Sequence, residues 1–286
     1  MRPPGLRLHV PADHPTCKES MAMKVKHIVR AFAAVSALAM AGWASAEEPL
    51  ELIHPGKLVV ATEGTFAPFS MRSAGGQLDG LEIRVMKEVA RRLNLEYTPV
   101  LIKWDALLVG LAANQFDVIS AAMDITPKRQ EQILFSDGWL ESGGRVVTPP
   151  DSPIKSAADL KGKKVGVQVS TTFSAIAEEK GGILKNYKAE SDAIQDLVNH
   201  NTDAVITDSI SAAYLMKTVH LPIVMTDDYV SHIQKGFAFK LGKNNLAKAV
   251  NQALAAMNAD GTYAKLTLDL VGYDPAPKAP IRSLLK

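Results

Sequence analysis

The sequence predicts an α/β protein built as two successive series of strands and helices. Short β-branched runs alternate with helical apolar patterns from Lys57 to Leu270, the sign of strands joined by helical crossovers. The Pro-rich segment Thr148-Pro149-Pro150-Asp151-Ser152-Pro153 interrupts the alternation, which then restarts. With 286 residues, 47% hydrophobic and 22% charged, the chain can form one large or two modest domains. That composition excludes a disordered or coiled-coil protein.

After a Pro-containing leader, Glu47–Gly56, the β-branched run Lys57–Thr62 reads as a strand and Leu81–Leu93 as an amphipathic helix. Glu96–Ile102 reads as a strand, Trp104–Asn114 as a helix and Phe116–Ser120 as a strand. Pro127 opens a helical turn, a position where its fixed φ is favourable. The strand Gly144–Val147 leads into the Pro-rich segment, which marks the expected domain boundary. Beyond it come a turn at Ser156–Leu160, strand Lys164–Val169, helix Thr172–Glu179, strand Leu184–Ala189 and helix Asp192–Asn199. Strand Asp203–Ile206, helix Asp208–Val219 and strand Gly236–Lys240 follow. Leu246, Val250, Leu254 and Met257 then recur at helical spacing in Asn244–Asn258, before Thr262–Leu270 and a Pro-rich tail from Pro275.

The N-terminal region has a different character. From Met23, the basic run Lys24-Val25-Lys26-His27-Ile28-Val29-Arg30 precedes the apolar stretch Ala31–Trp43 and the small residues Ala44-Ser45-Ala46. This is the pattern of a secretory signal cleaved after Ala46, and the apolar run is shorter than the ~20 residues a spanning helix needs. The formal charge of +2 therefore misleads: removing the six basic and two acidic residues of 1–46 leaves 26 basic against 28 acidic, a net charge of −2. No basic stripe follows residue 46, which argues against a nucleic-acid partner. The one cysteine, Cys17, precedes the cleavage site, so the exported chain would carry no disulfide, cysteine metal site or lipidated cysteine.

Three segments carry a resemblance. They are Leu58-Val59-Val60-Ala61-Thr62-Glu63-Gly64-Thr65-Phe66-Ala67-Pro68-Phe69, then Phe116–Arg129 continuing to Phe135-Ser136-Asp137, and Asp159–Thr172. Weaker matches are Asp203–Asp208 and Asp260-Gly261-Thr262-Tyr263. In this order they resemble the periplasmic polar-amino-acid-binding proteins of ABC importers, solute-binding family 3. The resemblance implies a two-lobed Venus-flytrap fold, each lobe a sheet flanked by helices, with two hinge strands near Val146–Pro149 and Ile233–Phe237. Lobe 1 would comprise residues 57–147 and 236–286, and lobe 2 residues 148–235. It also implies a periplasmic monomer that takes an amino acid in its cleft, without cofactor or metal, and delivers it to a membrane-embedded permease.

The resemblance places site residues on this chain one by one. Arg129 matches the carboxylate-binding position, and its planar guanidinium suits a carboxylate through two parallel hydrogen bonds; alone, it could equally be a solvated surface charge. Thr171 and Thr172 lie between a strand and a helix, where they can cap the helix or hold an anion at its N-terminus. Asp208 matches the carboxylate for the ligand ammonium and is equally suited to be a helix cap. Phe66 and Trp104 match aromatic walls, whereas Trp139 fits either the cleft or the core. Ala121 and Ala122 stand where many relatives carry Ser, and Asp124 where they carry Ser or Thr. Asp124 should then face a cationic group of the ligand or pair with Arg129. Glu63, Asp124 and Asp208 against Arg129 give the cleft a net charge of −2, which favours a cationic or amine-bearing amino acid, or an opine-like derivative.

Two other functions fit the same pattern. Exported cyclohexadienyl dehydratases resemble this family, but none of the seven histidines falls in a cleft motif and no nucleophile triad, nucleotide-binding loop or zinc motif occurs. A ligand-sensing periplasmic receptor is the other.

Overall fold

The structure, a computed structural model, describes Gly5 and residues 48–285. The signal sequence and its cleavage after Ala46 lie outside the described residues. Among these residues no helix is long and apolar enough to cross a membrane.

Two five-stranded sheets form two lobes. In the first, β1 (Lys57–Thr62) pairs in parallel with β4 (Glu96–Leu101) and β5 (Val118–Ile119), and β14 (Ala238–Lys240) runs antiparallel between β5 and β6 (Ile133–Phe135). A short hairpin of β2 (Met71–Arg72) and β3 (Leu78–Asp79) follows β1. The helices of this half are α1 (Leu81–Arg92), α2 (Leu107–Ala112) behind a 3₁₀ turn at Trp104–Ala106, and α3 (Pro127–Gln130). In the second sheet, β9 (Lys164–Gln168) pairs in parallel with β10 (Ile183–Tyr187) and β11 (Ala204–Asp208), while β8 (Gly144–Thr148) runs antiparallel between β11 and β12 (Val224–Tyr229). Its helices are α4 (Thr172–Glu179), α5 (Glu190–Val198) and α6 (Ser209–Lys217). The chain returns to the first lobe and ends with α7 (Asn244–Ala259) and α8 (Thr262–Val271).

Each sheet is covered on both faces. Successive side chains of β1 point to opposite sides, so Leu58 and Val60 join the core under α1 and α7, whereas Val59 and Ala61 join the core under α2. The second sheet divides likewise, Val165 and Val167 on one face and Val147 and Val205 on the other. Parallel strands buried on both faces explain why these segments read as continuous apolar runs rather than alternating ones. Each such side chain contributes about 1.5–3 kcal/mol of burial energy. In α1, Leu81, Ile83, Val85, Met86 and Val89 face the sheet. Arg84 is half-buried and bridges Asp79 at 2.8 Å and Asp269 at 2.7 Å, tying α1 to α8.

The boundary between halves differs from the expected one. The strand ending at Val147 belongs to the second sheet, so the Pro-rich segment after it is a loop within lobe 2. The chain crosses earlier, from β7 (Leu140–Ser142) through Gly143 into β8, and returns from β12 into β13 (Ile233–Lys235), with β7 and β13 paired antiparallel. The first crossing thus lies ahead of the expected Val146–Pro149, whose valines are locked in the second sheet's core. Proline marked a turn, and a turn need not be a domain boundary.

The two crossings touch at Gly143. A Cβ added there would lie 2.0 Å from the Ser231 carbonyl oxygen, an overlap with backbone that no rotamer change relieves. Gly143→Ala should cost about 1–3 kcal/mol, a fall in melting temperature of roughly 2–12 °C for a domain of this size. Thermal unfolding followed by circular dichroism checks this; an unchanged midpoint would show that the crossings are free to separate.

Candidate ligand-binding cleft

In open α/β sheets the loops leaving the C-terminal ends of parallel strands converge on one crevice, and both lobes present those ends to the same cavity. From the first sheet, the segment after β1 supplies Phe66, that after β4 supplies Trp104, and that after β5 supplies Ala122, Asp124 and Arg129. From the second, the end of β9 supplies Gln168, Thr171 and Thr172, the start of α5 supplies Glu190, and β11 supplies Thr207. They line a cleft of about 460 Å³, the open solvent at its mouth included.

Seven of the nine sequence-derived site residues, Phe66, Trp104, Ala122, Asp124, Arg129, Thr171 and Thr172, line this cavity. Glu63 and Asp208 lie behind its wall. Trp139 is also elsewhere, stacked on Phe237 at 4.9 Å beneath the hinge.

Arg129 lies in the short helix α3, whose N-cap Thr126 accepts from the Arg129 backbone N–H. Its guanidinium lies 5.4 Å from the Trp104 ring centroid and donates to the Asp124 carbonyl oxygen at 3.0 Å. Among the described residues it has no carboxylate partner. Burial pulls its pKa below the usual arginine value, partly offset by the nearby charge of Asp124. An unpaired cation on a cavity wall is costly to desolvate, and an anion entering the cavity would relieve that cost.

Asp124 does not pair through its carboxylate with Arg129. Its Oδ1 accepts from Lys235 Nζ at 2.5 Å and its Oδ2 from the Thr172 hydroxyl at 2.5 Å. Lys235 also reaches Asp208 Oδ2 at 3.0 Å. Asp208 caps α6 through Oδ1, which accepts from the Ile210 N–H at 2.9 Å, while Oδ2 accepts from Ser142 at 2.6 Å. The capping role therefore holds in this structure, with a lysine ammonium on the other oxygen. Burial pulls the pKa of Lys235 down, but the attraction of Asp124 and Asp208 outweighs it and leaves the group above its ordinary value.

Thr171 is fully engaged as the N-cap of α4, accepting from the Ser174 N–H at 3.2 Å and donating to the Gln168 carbonyl at 2.7 Å. The first N–H groups of α4 have no partner within the helix by construction, and the cap aims them along the cleft wall. Ala122 adopts a left-handed conformation, φ 44°, and its N–H donates to Glu82 Oε2 at 2.7 Å. The missing side-chain hydroxyl at Ala122 is thus accompanied by a backbone donor already committed to the core.

Lys235, Gln168, Glu190 and Glu82 escaped sequence reading. Gln168 lies at the end of a strand inside the segment Asp159–Thr172, ahead of its threonines, and Lys235 sits in a strand with no polar motif around it. Glu190 falls between the expected strand ending at Ala189 and the expected helix from Asp192, and Glu82 stands in the first turn of α1, where an acid suits any helix. Their importance comes from placement. Gln168 donates to Glu63 across the cleft at 2.8 Å, whereas the second oxygen of Glu63 is buried with no hydrogen-bond partner among the described residues. Glu190 accepts from Thr207 and Ser211, each at 3.0 Å.

Two α/β lobes joined by paired crossing strands around a polar cleft define the architecture of the Venus-flytrap binding proteins. Residues 58–270 match the family described as bacterial extracellular solute-binding proteins, family 3, and the chain belongs to it. It is 32% identical over 263 residues to the L-cystine-binding protein TcyJ of Escherichia coli, covering 88% of this chain and 99% of that one. It is 33% identical to the histidine-binding periplasmic protein of Salmonella typhimurium, covering 77% and 89% of the two chains. Among solved structures, the ancestral amino acid-binding protein AncCDT-1, a precursor of cyclohexadienyl dehydratase, superposes with a TM-score of 0.71 at 33% identity, over 76% of this chain and 96% of that one.

Three buried acids set a pH dependence. Burial first, with neighbouring carboxylates adding, pushes Glu63 and Glu190 up to about 7 and Glu82 up to about 8, despite the hydrogen bonds each accepts. A carboxyl whose folded pKa is raised stabilises the fold fully below its unfolded value of 4.5, and that contribution is lost as pH rises through 7–8. The melting temperature should therefore fall between pH 5 and pH 8.5. Each group contributes a slope of at most about 1.4 kcal/mol per pH unit. Glu82→Gln, which keeps the neutral form, should flatten the profile; a slope equal to the wild type in thermal melts across that range would remove Glu82 as a source.

Proposed function

We propose that the chain is an exported receptor that closes its lobes on a zwitterionic amino acid in the periplasm and presents it to a membrane-embedded ABC permease. The observation that carries this reading is Arg129, a guanidinium on the cavity wall with no carboxylate partner among the described residues. A ligand carboxylate fits it through two parallel hydrogen bonds, with the N–H groups at the start of α4 as further donors. Phe66 and Trp104 form apolar walls for the ligand side chain, and the ligand ammonium faces the acidic side formed by Asp124 and Glu190. The relatives named for cystine and histidine bind amino acids, which supports the ligand class.

The case for a cationic side chain loses part of its ground. Counting Glu63, Asp124 and Asp208 against Arg129 left two negative charges uncompensated, and Lys235 supplies one of the missing cations directly on two of those carboxylates. Raised towards 7, Glu63 is partly protonated at neutral pH and removes much of the rest. A net-neutral amino acid therefore suits the cleft better than an opine or polyamine.

The lobes, residues 57–142 with 233–285 and residues 144–230, would hinge at the paired crossings around Gly143 and Ser231. Asp124 and Glu63 on one side are bonded to Thr172 and Gln168 on the other. These are contacts that only a closed arrangement permits, and a ligand that binds the closed form better shifts the population toward it.

Two measurements test the reading. Amino acids should raise the melting temperature of the purified mature protein, and Arg129→Lys should weaken the best of them by about 2–5 kcal/mol in calorimetry, since lysine cannot reproduce the fork. Wild-type affinity in that variant would take Arg129 out of the site. Small-angle scattering should also show a smaller radius of gyration at saturating ligand; an unchanged radius in a sample shown to be open beforehand would refute hinge closure.

A further inference from the structure

Lys235 is almost fully buried, and every feature around it holds its ammonium at the junction of the lobes. The backbone of 234–236 is stapled to that of 123–125, with Ile125 N–H on the Gln234 carbonyl at 3.0 Å and Gly236 N–H on the Met123 carbonyl at 3.0 Å. A Cβ at Gly236 would meet Phe135 at 2.7 Å and Ile125 at 2.9 Å, so glycine allows this close approach. Lys235 thereby lies directly opposite Asp124, as an isolated antiparallel bridge pair. Its Nζ sits 2.5 Å from Asp124 and 3.0 Å from Asp208, with the Phe173 ring centroid 5.7 Å away. The lysine is the cation that makes a second buried carboxylate at this junction tolerable.

The geometry points to Lys235 as the residue that sets the charge class of the ligand. With it, Asp124 and Asp208 against Lys235 and Arg129 sum to zero, the buried acids Glu63 and Glu190 being the remaining acidic groups of the cleft, and the site takes an amino acid of no net charge. This inference rests on the amino-acid reading above and adds the substrate class to it.

The test is calorimetric titration of L-arginine, L-lysine, L-glutamine, L-cystine and L-glutamate into four proteins: wild type, Lys235→Met, Asp124→Asn and the double variant. Circular dichroism establishes which of them fold. The wild type should favour glutamine or cystine over arginine and lysine. Lys235→Met leaves one uncompensated negative charge and should move the arginine-to-glutamine preference toward arginine by about tenfold or more, since desolvated charge mismatches weigh heavily. Asp124→Asn should shift it the other way and favour glutamate. The double variant restores neutrality and should restore the wild-type order. If Lys235→Met does not fold, the opposite shift in Asp124→Asn and the recovery in the double variant carry the test. An unchanged ranking in every folded variant overturns the role of Lys235 while leaving the amino-acid reading intact. If no amino acid binds any of the proteins, both fall together.

Discussion

The ammonium of Lys235 between Asp124 and Asp208 is the interaction on which the rest of the cleft depends. Asp124 belongs to the segment leaving the first sheet, Asp208 ends a strand of the second, and Lys235 lies on the strand that crosses between them. Removing Lys235 would leave two buried carboxylates without a cation, which is far costlier than the net worth of the assembled group. The same three residues keep Thr172 against Asp124 and Ser142 against Asp208, so the cap of α6, the start of α4 and the hinge strand β7 are positioned by one electrostatic centre. Cleft shape and hinge geometry are thus set together.

Beside that centre, whose two carboxylates and one ammonium leave one net negative charge, Arg129 stands out. Every other full charge at the junction has a counter-charge within hydrogen-bond distance, whereas Arg129 has a backbone carbonyl and the face of Trp104. The protein therefore keeps one cationic fork available on the cavity wall. The buried acids Glu63 and Glu190 add a softer contribution, because burial holds them near the point where they gain or lose a proton around neutral pH. The negative potential of the cleft is accordingly smaller than a count of its acidic residues suggests.

Much of the architecture was legible in the sequence. The strands Lys57–Thr62 and Lys164–Gln168 and the long helix Asn244–Ala259 are close to where apolar pattern and β-branching put them. Strands of two or three residues, such as β2, β3, β6, β7 and β13, carry too few side chains to show a period. The crossing was misplaced for a related reason: the Pro-rich loop was the loudest local signal, whereas the true passage is marked by Gly143, whose role exists only because Ser231 comes against it.

The same division runs through the site. Sequence by itself determined the order of strands and helices, the loops at strand ends that must converge, and the residue types in them: an Arg after a Pro-capped turn, paired threonines at a helix start, aromatic residues in loops. These are local properties, set by neighbours a few positions away. Tertiary structure alone decided which charges meet. Lys235 is 111 residues from Asp124 and 27 from Asp208, and Gln168 is 105 from Glu63. Electrostatic energy depends on separation in space and on burial, and neither can be read from the order of residues along the chain.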